Sequence, residues 1–430
     1  MLEPLYTATE MKEAEAGHDV QTLMRRAGRA VAEEALRRYP EAQSFGAVCG
    51  GGANGGDGRI ALDVLRSAGK DAAEGTNGDV LIDALFGTGF HGEPRPEAAR
   101  LIEEINAAAA PVVAVDLPSG VDADTGEIAG AAVTADLTVT MHGRKVGLEV
   151  APGRFRAGEV VVADIGLERS ETRTALVDRT VLSQVPRKRA TDNKYTAGAL
   201  LVVGGSPGMA GSVTLTASAA FRADAGYVTI CSEVEPPVLE AVKRPLEDAF
   251  DAAPRHGALA VGPGLGRSEE KRALVRRLLE ETELPAVVDA DALFGLEPFT
   301  RAAPTVLTPH EGELGRLLDR ESSWVAAHRL AAVNETAERF GCICLLKGAD
   351  ALIASAGEGV LVAALGPPSL ATAGTGDVLT GVIGAFLAKG MGARIAAAAG
   401  AVACDVAARL GHSRGLVASD VVGLLPAALE

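Results

Sequence analysis

Aromatic residues are scarce in this chain: 1 Trp, 4 Tyr and 10 Phe among 430 residues. So few ring faces leave no material for a base-stacking platform, and they point instead to layers packed with Ala, Val and Leu. A basic excess is missing as well. With 41 Lys and Arg against 57 Asp and Glu, the formal charge is -16 and the pI about 5.0, which excludes a binder of nucleic-acid backbone. The five cysteines (Cys49, Cys231, Cys342, Cys344, Cys404) are scattered and lack zinc-type spacing. Cys342 and Cys344 alternate on an apolar strand and are expected to face a core, in keeping with a reducing compartment. The opening MLEPLYTATEMKEAE carries early acids and no apolar core, so it does not read as a signal peptide. The alanine-rich run around Ala396 is broken by Asp405 and is too short to cross a bilayer. A soluble, cytoplasmic protein with no membrane partner is expected, and no internal repeat makes one half a copy of the other.

Glycine is abundant, at 51 residues, and it clusters in loops that follow short apolar runs. The length suggests two or three domains. In the first half, residues 20–39 carry an apolar stripe at helical spacing. A strand at residues 45–49 runs into GGGANGGDG (50–58), followed by a helical pattern at 59–68. Strand, glycine loop and helix form the layout that holds an anion or a dinucleotide, but no Gly-Lys-Ser/Thr follows, so this is not a Walker loop. The next strands, 80–84 and 112–115, end at Asp83 and Asp116. Three strand ends therefore carry an acid: Asp57, Asp83 and Asp116. Parallel sheets bind ligands beyond the carboxyl ends of their strands, so these acids suggest a cation site, a proton-transfer site or both, unless each merely caps its loop. Later strands at 137–141 and 159–165 flank Lys145, a candidate proton donor or acceptor unless it is solvated.

Residues 166–189, charged and ending in Pro-Arg-Lys-Arg, read as a linker leading into a second domain. The strand–loop–helix pattern then restarts. Strands are expected at 199–203, 227–231, 259–261, 287–289, 306–308 and 343–346, which implies a parallel sheet wound with helices. The last glycine turn, ATAGTGDVLTG at 371–381, opens onto an apolar helix. There Asp377 either caps the helix or takes a proton from a hydroxyl while the turn's amides hold negative charge. His310, after a strand, is either a hydrogen-bonded edge residue or a catalyst, and Lys347 pairs with a phosphate or with Asp350. Together Lys347, His310, Gly376 and Asp377 supply a cation, an imidazole, an amide-rich helix start and a base, the parts for handling a nucleotide phosphate beside a hydroxyl.

The stretches GGGANGGDGR, LIDALFGTGFHGE and VVAVDLPSGVDADTGE, in that order, resemble the epimerase domain of the NAD(P)H-hydrate repair family. The resemblance spans residues 1–168 and implies a Rossmann-like fold that interconverts the R and S epimers of hydrated NADH or NADPH. It implies hydrate contacts at Ala53, Asn54, Gly55, Gly56 and Asp57, at Gly87, Thr88, Gly89, Phe90, His91, Gly92 and Glu93, and at Asp116. It further implies a potassium ion near Asn54, Asp83 and Ser119, with Asp116 and Lys145 as proton-transfer groups. Two departures stand out: the family's paired asparagine is Ala53-Asn54 here, and residues 67–79 are too short and polar for the strand plus helix usual at that place.

Over residues 190–430, KYTAGALLVVGGSPGMAG, VGPGLG, VVDADAL, VLTPHEGEL, LLKGADALI and ATAGTGDVLTG resemble the ribokinase-like ADP- or ATP-dependent NAD(P)H-hydrate dehydratases. That likeness implies adenine-nucleotide contacts at Lys347, Gly348, Ala349, Asp350, Ala351 and Gly376, and hydrate contacts at Gly264, His310 and Asp377. ADP with magnesium is the implied co-substrate, and the expected fold is α/β in two domains. The expected reaction is dehydration of the S hydrate to NAD(P)H, AMP and phosphate, fed by the epimerase half, in a homo-oligomer. The alternatives are a vitamin-precursor kinase of the same fold, or a dehydratase whose first domain only binds.

Overall fold

The computed structural model describes residues 2–363 and 366–430. The chain divides into two compact units, Pro4–Ala175 and Leu176–Glu430, the second joined by the first few residues. After a short N-terminal strand β1 (Leu2–Leu5), the first unit is built on β2 (Ser44–Cys49), β3 (Asp71–Glu74), β4 (Val80–Ala84), β5 (Val112–Val115), β6 (Leu137–Met141) and β7 (Glu159–Ala163). They form a parallel sheet in the order β3-β2-β4-β5-β6-β7. Its central strands are buried along their whole length, as expected where both faces are covered. On one face the helices Val20–Arg38 and Ala53–Ser67 bring Ala27, Val31, Leu62 and Leu65 onto Phe45, Ile82 and Val113. On the other, Ile102 and Ile105 of the helix Pro96–Ala107 meet Val48, Leu81 and Val112.

Residues 67–79 hold a strand but no helix, in keeping with a segment too short and polar for both. β3 pairs Ser44–Ala47 with Asp71–Glu74, and the return to β4 is made by residues 75–79 without a helix. The short return is accommodated at Gly46. A Cβ there would lie 2.5 Å from the Asn77 carbonyl oxygen, so the connection passes directly over the β2 backbone. Asp71 and Ala73 are exposed, so the missing helix uncovers polar and small side chains rather than an apolar face.

The second unit contains β8 (Thr174–Val177), β9 (Ala199–Val203), β10 (Tyr227–Ser232), β11 (Val242–Pro245), β12 (Ala258–Val261), β13 (Ala286–Val288), β14 (Thr305–Leu307), β15 (Ile343–Leu346), β16 (Ala351–Ser355) and β17 (Gly359–Ala363). The sheet order is β1-β8-β17-β16-β15-β14-β13-β12-β9-β10-β11. From β11 to β15 all pairs are parallel, as the pattern predicts. β15-β16-β17 is antiparallel, which the pattern did not predict. Short connections at 347–350 and 356–358 force the reversal, since a parallel return needs a crossover of a dozen residues or more. Residues 166–189, expected as linker, supply β8 and the helical turn Arg179–Gln184.

The apolar helix Thr375–Ala388 is wedged between the helix Ala210–Arg222 and the sheet. Gly381 makes that approach possible, because a Cβ there would stand 2.1 Å from the Thr216 carbonyl oxygen. Cys342 and Cys344 are buried and unpaired. No helix among the described residues is long and apolar enough to cross a membrane, and Asp405 of the helix Ala393–Leu410 is ion-paired with Arg409 at 2.9 Å.

Candidate active sites

In the first unit, the carboxyl ends of β2, β4 and β5 open onto a cavity of about 830 Å³, a size suited to a small-molecule ligand. Ala53, Asn54, Asp57, Gly87, Thr88, Gly89, Phe90, His91, Glu93 and Asp116 line it, whereas Gly55, Gly56, Gly92 and Lys145 do not. The glycine run is less of a loop than its composition suggests. The helix starts at Ala53 with Gly52 as N-cap and no side-chain cap, so unfilled amides sit at the cavity wall. The wall also includes Met11 and Glu15 of the helix Ala8–Glu15, which the sequence reading passed over. An acidic helix near the N-terminus carries no ligand motif, and only the fold brings it to the strand ends.

The three strand-end acids separate into two groups. Asp83 is fully buried. Its Oδ1 accepts the Ser119 hydroxyl at 2.6 Å, and its Oδ2 accepts the Ser119 amide at 2.7 Å. The Ser119 hydroxyl oxygen accepts the Phe86 amide at 2.9 Å, and the Asn54 side-chain amide donates to the Phe86 carbonyl at 2.7 Å. Asn54, Asp83 and Ser119 are thus brought together around Phe86. Burial pushes the Asp83 carboxyl up to about 6 although the Ser119 bonds pull it down, and no cation of the chain is among the influences on it. Oxygen atoms around a buried carboxyl with no basic partner are the donor type of a hard cation.

Asp116 stands apart from that group. It holds a left-handed backbone (φ 67°), and its Oδ1 receives Lys145 Nζ at 2.5 Å, the Thr140 hydroxyl at 3.1 Å and the Met141 amide at 3.1 Å. Such a conformation persists in a non-glycine residue only where surroundings over-determine it. Lys145 is wholly buried behind Asp116, its other contacts being the Thr140 hydroxyl at 3.0 Å and the Met141 carbonyl at 2.8 Å. Asp57 is buried, and its Oδ1 has no hydrogen-bond partner. Burial, then Asp116, then Glu15 push its carboxyl up to about 8.

In the second unit, Asp377 is the third residue of the helix Thr375–Ala388, whose N-cap is Gly374. The capping alternative therefore falls: the side chain lies inside the first turn and bonds to Ser212. Burial, then Asp289, pushes the Asp377 carboxyl up to about 6, while Ser212 and Lys347 pull it down. Lys347 donates to Asp289 Oδ1 at 2.7 Å, and the Thr380 hydroxyl donates to Asp289 Oδ2 at 2.8 Å. Burial works against the Lys347 charge, but Asp289 and Glu313 outweigh it and the pKa is raised. A Cβ on Gly376 would lie 3.4 Å from Lys347 Nζ, so helix start and lysine are immediate neighbours. Asp289 was overlooked as a site residue, although VVDADAL after a strand was its signal.

His310 is the N-cap of the helix Glu311–Leu318. Its Nδ1 accepts the Gly312 amide at 3.0 Å, and the ring is more than half exposed. Gly264 is buried against Met209, and its carbonyl accepts the Ser206 amide at 2.6 Å. Lys347 does not pair with Asp350. The Asp350 side chain is buried against Arg329, whose Nε donates to Oδ1 at 2.7 Å, so this carboxylate supports the turn from beneath. Gly348 and Ala349 are exposed at that turn, and Ala351 begins β16.

A doubly wound sheet with a helix start beside Lys347 and Asp377 defines a ribokinase-like α/β protein, here carrying a second α/β unit with its own cavity. The family described as NAD(P)H-hydrate dehydratase matches residues 200–427, and that described as YjeF-related protein N-terminus matches residues 20–74 and 68–147. The second pair of segments meets at the shortened β3 region. The chain is 36% identical over 461 aligned positions to the bifunctional NAD(P)H-hydrate repair enzyme of Coxiella burnetii, covering 95% of this chain and 94% of that one. It is 39% identical to the Moorella thermoacetica enzyme of the same description over 82% of this chain and 73% of that one. Among solved structures, the ADP/ATP-dependent NAD(P)H-hydrate dehydratase of Bacillus subtilis, crystallised with ATP and Mg2+, is similar with a TM-score of 0.53 and 26% identity. That similarity covers 58% of this chain and 94% of that one. The chain belongs to the family of bifunctional NAD(P)H-hydrate repair enzymes.

Proposed function

We propose that residues 190–430 dehydrate the S epimer of hydrated NADH or NADPH at the expense of ADP, and that residues 1–168 interconvert the epimers. The observation that carries the first half is Asp377 at a helix start beside the Lys347–Asp289 pair. Asp377 takes the proton of the ring hydroxyl as its oxygen accepts the terminal phosphoryl group of ADP. Lys347 and the amides at 374–376 face the developing negative charge. Magnesium bound with the nucleotide supplies further neutralisation of the phosphates. Loss of phosphate, assisted by the ring nitrogen, leaves AMP and an iminium ion, which gives up a proton from the adjacent ring carbon to water and becomes NAD(P)H. His310 and Gly264 contact the hydrate; the His310 ring is more than half exposed, with Nδ1 in the capping bonds and Nε2 3.5 Å from Glu313 Oε1.

The test is return of the dihydronicotinamide absorbance from purified S hydrate with ADP, then with ATP. A stable phosphorylated product instead of NAD(P)H would make the protein a small-molecule kinase. In the first unit, Asp116 is the proton-transfer group facing the cavity, and Lys145 acts from behind to hold its charge and direction. Asn54, Asp83 and Ser119 would hold a potassium ion whose charge offsets that of Asp83. Potassium should then raise the melting temperature of the protein but not of an Asp83→Asn variant. Function in the cytoplasm accords with five unpaired cysteines. The homo-oligomeric state is tested by sedimentation of the full chain.

A further inference from the structure

We propose that Asp57 is a second catalytic proton-transfer residue of the N-terminal cavity, acting as the acid to the base Asp116. This deepens the epimerase reading and rests on it. Asp57 is the fifth residue of the helix Ala53–Ser67 and lines the same cavity as Asp116. It is only 8% exposed, and its Oδ1 is buried with no hydrogen-bond partner. A buried carboxyl oxygen without a partner is costly, and its placement in a residue on the wall of a ligand cavity points to the ligand.

Its surroundings set the protonation state. Burial acts first on Asp57, followed by the carboxylates Asp116 and Glu15, and together they hold its proton up to about 8. The other titratable or charged groups on the cavity wall are His91, Glu93, Arg95 and Glu97. His91 is bonded to Asp122, and Lys145 is bonded to Asp116. No cation reaches Asp57 to draw its proton off. A carboxyl that keeps its proton beside a lysine-paired carboxylate is the division of labour that acid–base catalysis needs.

The substrate is a ring hydroxyl on the carbon next to nitrogen. Asp57 passes its proton to that hydroxyl as the C–O bond breaks, and water departs. The nitrogen lone pair forms a C=N bond, giving an iminium ion. A water on the opposite face then bonds to the same carbon, its proton goes to Asp116, and the C=N electron pair returns to nitrogen. Asp57 is left as carboxylate and Asp116 protonated, so the reverse epimer runs with the roles exchanged, as reversibility requires.

The experiment compares wild type with Asp57→Asn in the full chain, measuring epimerisation of R hydrate across pH. ADP-dependent dehydration by the other unit calibrates the enzyme concentration, and a wild-type thermal melt of residues 1–168 in the full chain, tracked by limited proteolysis, reports that the mutated unit is folded. The expected result is a fall in kcat of roughly 10²- to 10⁴-fold with little change in KM. Wild-type activity should fall above a pH of about 8 as Asp57 loses its proton, and the variant should lose that limb. Asp57→Glu, which keeps a carboxyl, should restore part of the rate and the limb, and it decides the matter if the asparagine variant does not fold. Asp57→Asn with wild-type kcat, a loss confined to KM, or an unchanged upper limb overturns the proposal. A wild-type protein that dehydrates S hydrate but never converts R hydrate overturns the epimerase reading itself, and this assignment with it.

Discussion

Both units place a lysine–aspartate pair at the carboxyl end of a parallel sheet, with a second aspartate beside it. In the first unit Lys145 holds Asp116, and the neighbour is Asp57; in the second Lys347 holds Asp289, and the neighbour is Asp377. In each, burial and then the tethered aspartate raise the neighbour's proton affinity. The outcomes differ. Asp57 has an unpartnered oxygen, only carboxylates act on it, and it rises to about 8. Asp377 also has Ser212 and Lys347 to favour its charge, and stops at about 6. The same device therefore holds one carboxyl protonated and leaves the other mostly ionised at neutral pH. A hydroxyl bond and the reach of one ammonium group decide which.

The strongest test of that contrast is Asp377→Asn. ADP-dependent dehydration should fall roughly 10²- to 10⁴-fold while epimerisation persists, in assays of both activities on one preparation. Next is Lys145→Met, which leaves Asp116 in a buried setting without its cation. Unfolding in urea should show a loss of about 3 kcal/mol, with epimerisation reduced and dehydration retained. Ser119→Ala removes the hydroxyl between Asp83 and Phe86 and should cost about 1–3 kcal/mol by the same measurement.

Protonation gives a subtler reading. The dehydration rate should climb as pH rises through about 6, where Asp377 becomes a base, and then level off. Because its folded pKa is raised, the stability Asp377 lends is complete below the ordinary value of 3.8 and is lost as pH rises through about 6. Asp377→Asn should therefore melt higher than wild type at pH 7, with the gap closing in acid. The smallest effect belongs to Ala53→Asn at the exposed helix start on the cavity wall. One added hydrogen bond is worth about 1 kcal/mol, so KM for the R hydrate should change by less than about tenfold.

Most strands were legible because buried parallel strands are short apolar runs ending in glycine or an acid, and that local pattern survives without knowledge of partners. The hairpin β16–β17 was not, since an apolar run does not reveal its direction. The Lys347–Asp350 alternative fails for a related reason. Asp350 lies three residues from Lys347, but its partner Arg329 is distant in sequence and its burial is invisible there. Glu15 and Asp289 joined their sites through the fold, one from a helix with no ligand motif and one from a strand end whose motif was seen but given no role.

By itself the sequence determined the two α/β units, the order of their glycine turns and the chemical kinds of residue at each strand end, because these follow from local periodicity and spacing. Tertiary structure alone decided which aspartate is tied to a lysine, which is left without a partner, and on which side of Asp116 the lysine stands. Those depend on burial and on distances of a few ångströms between segments far apart in the chain. Proton affinity is set at that scale.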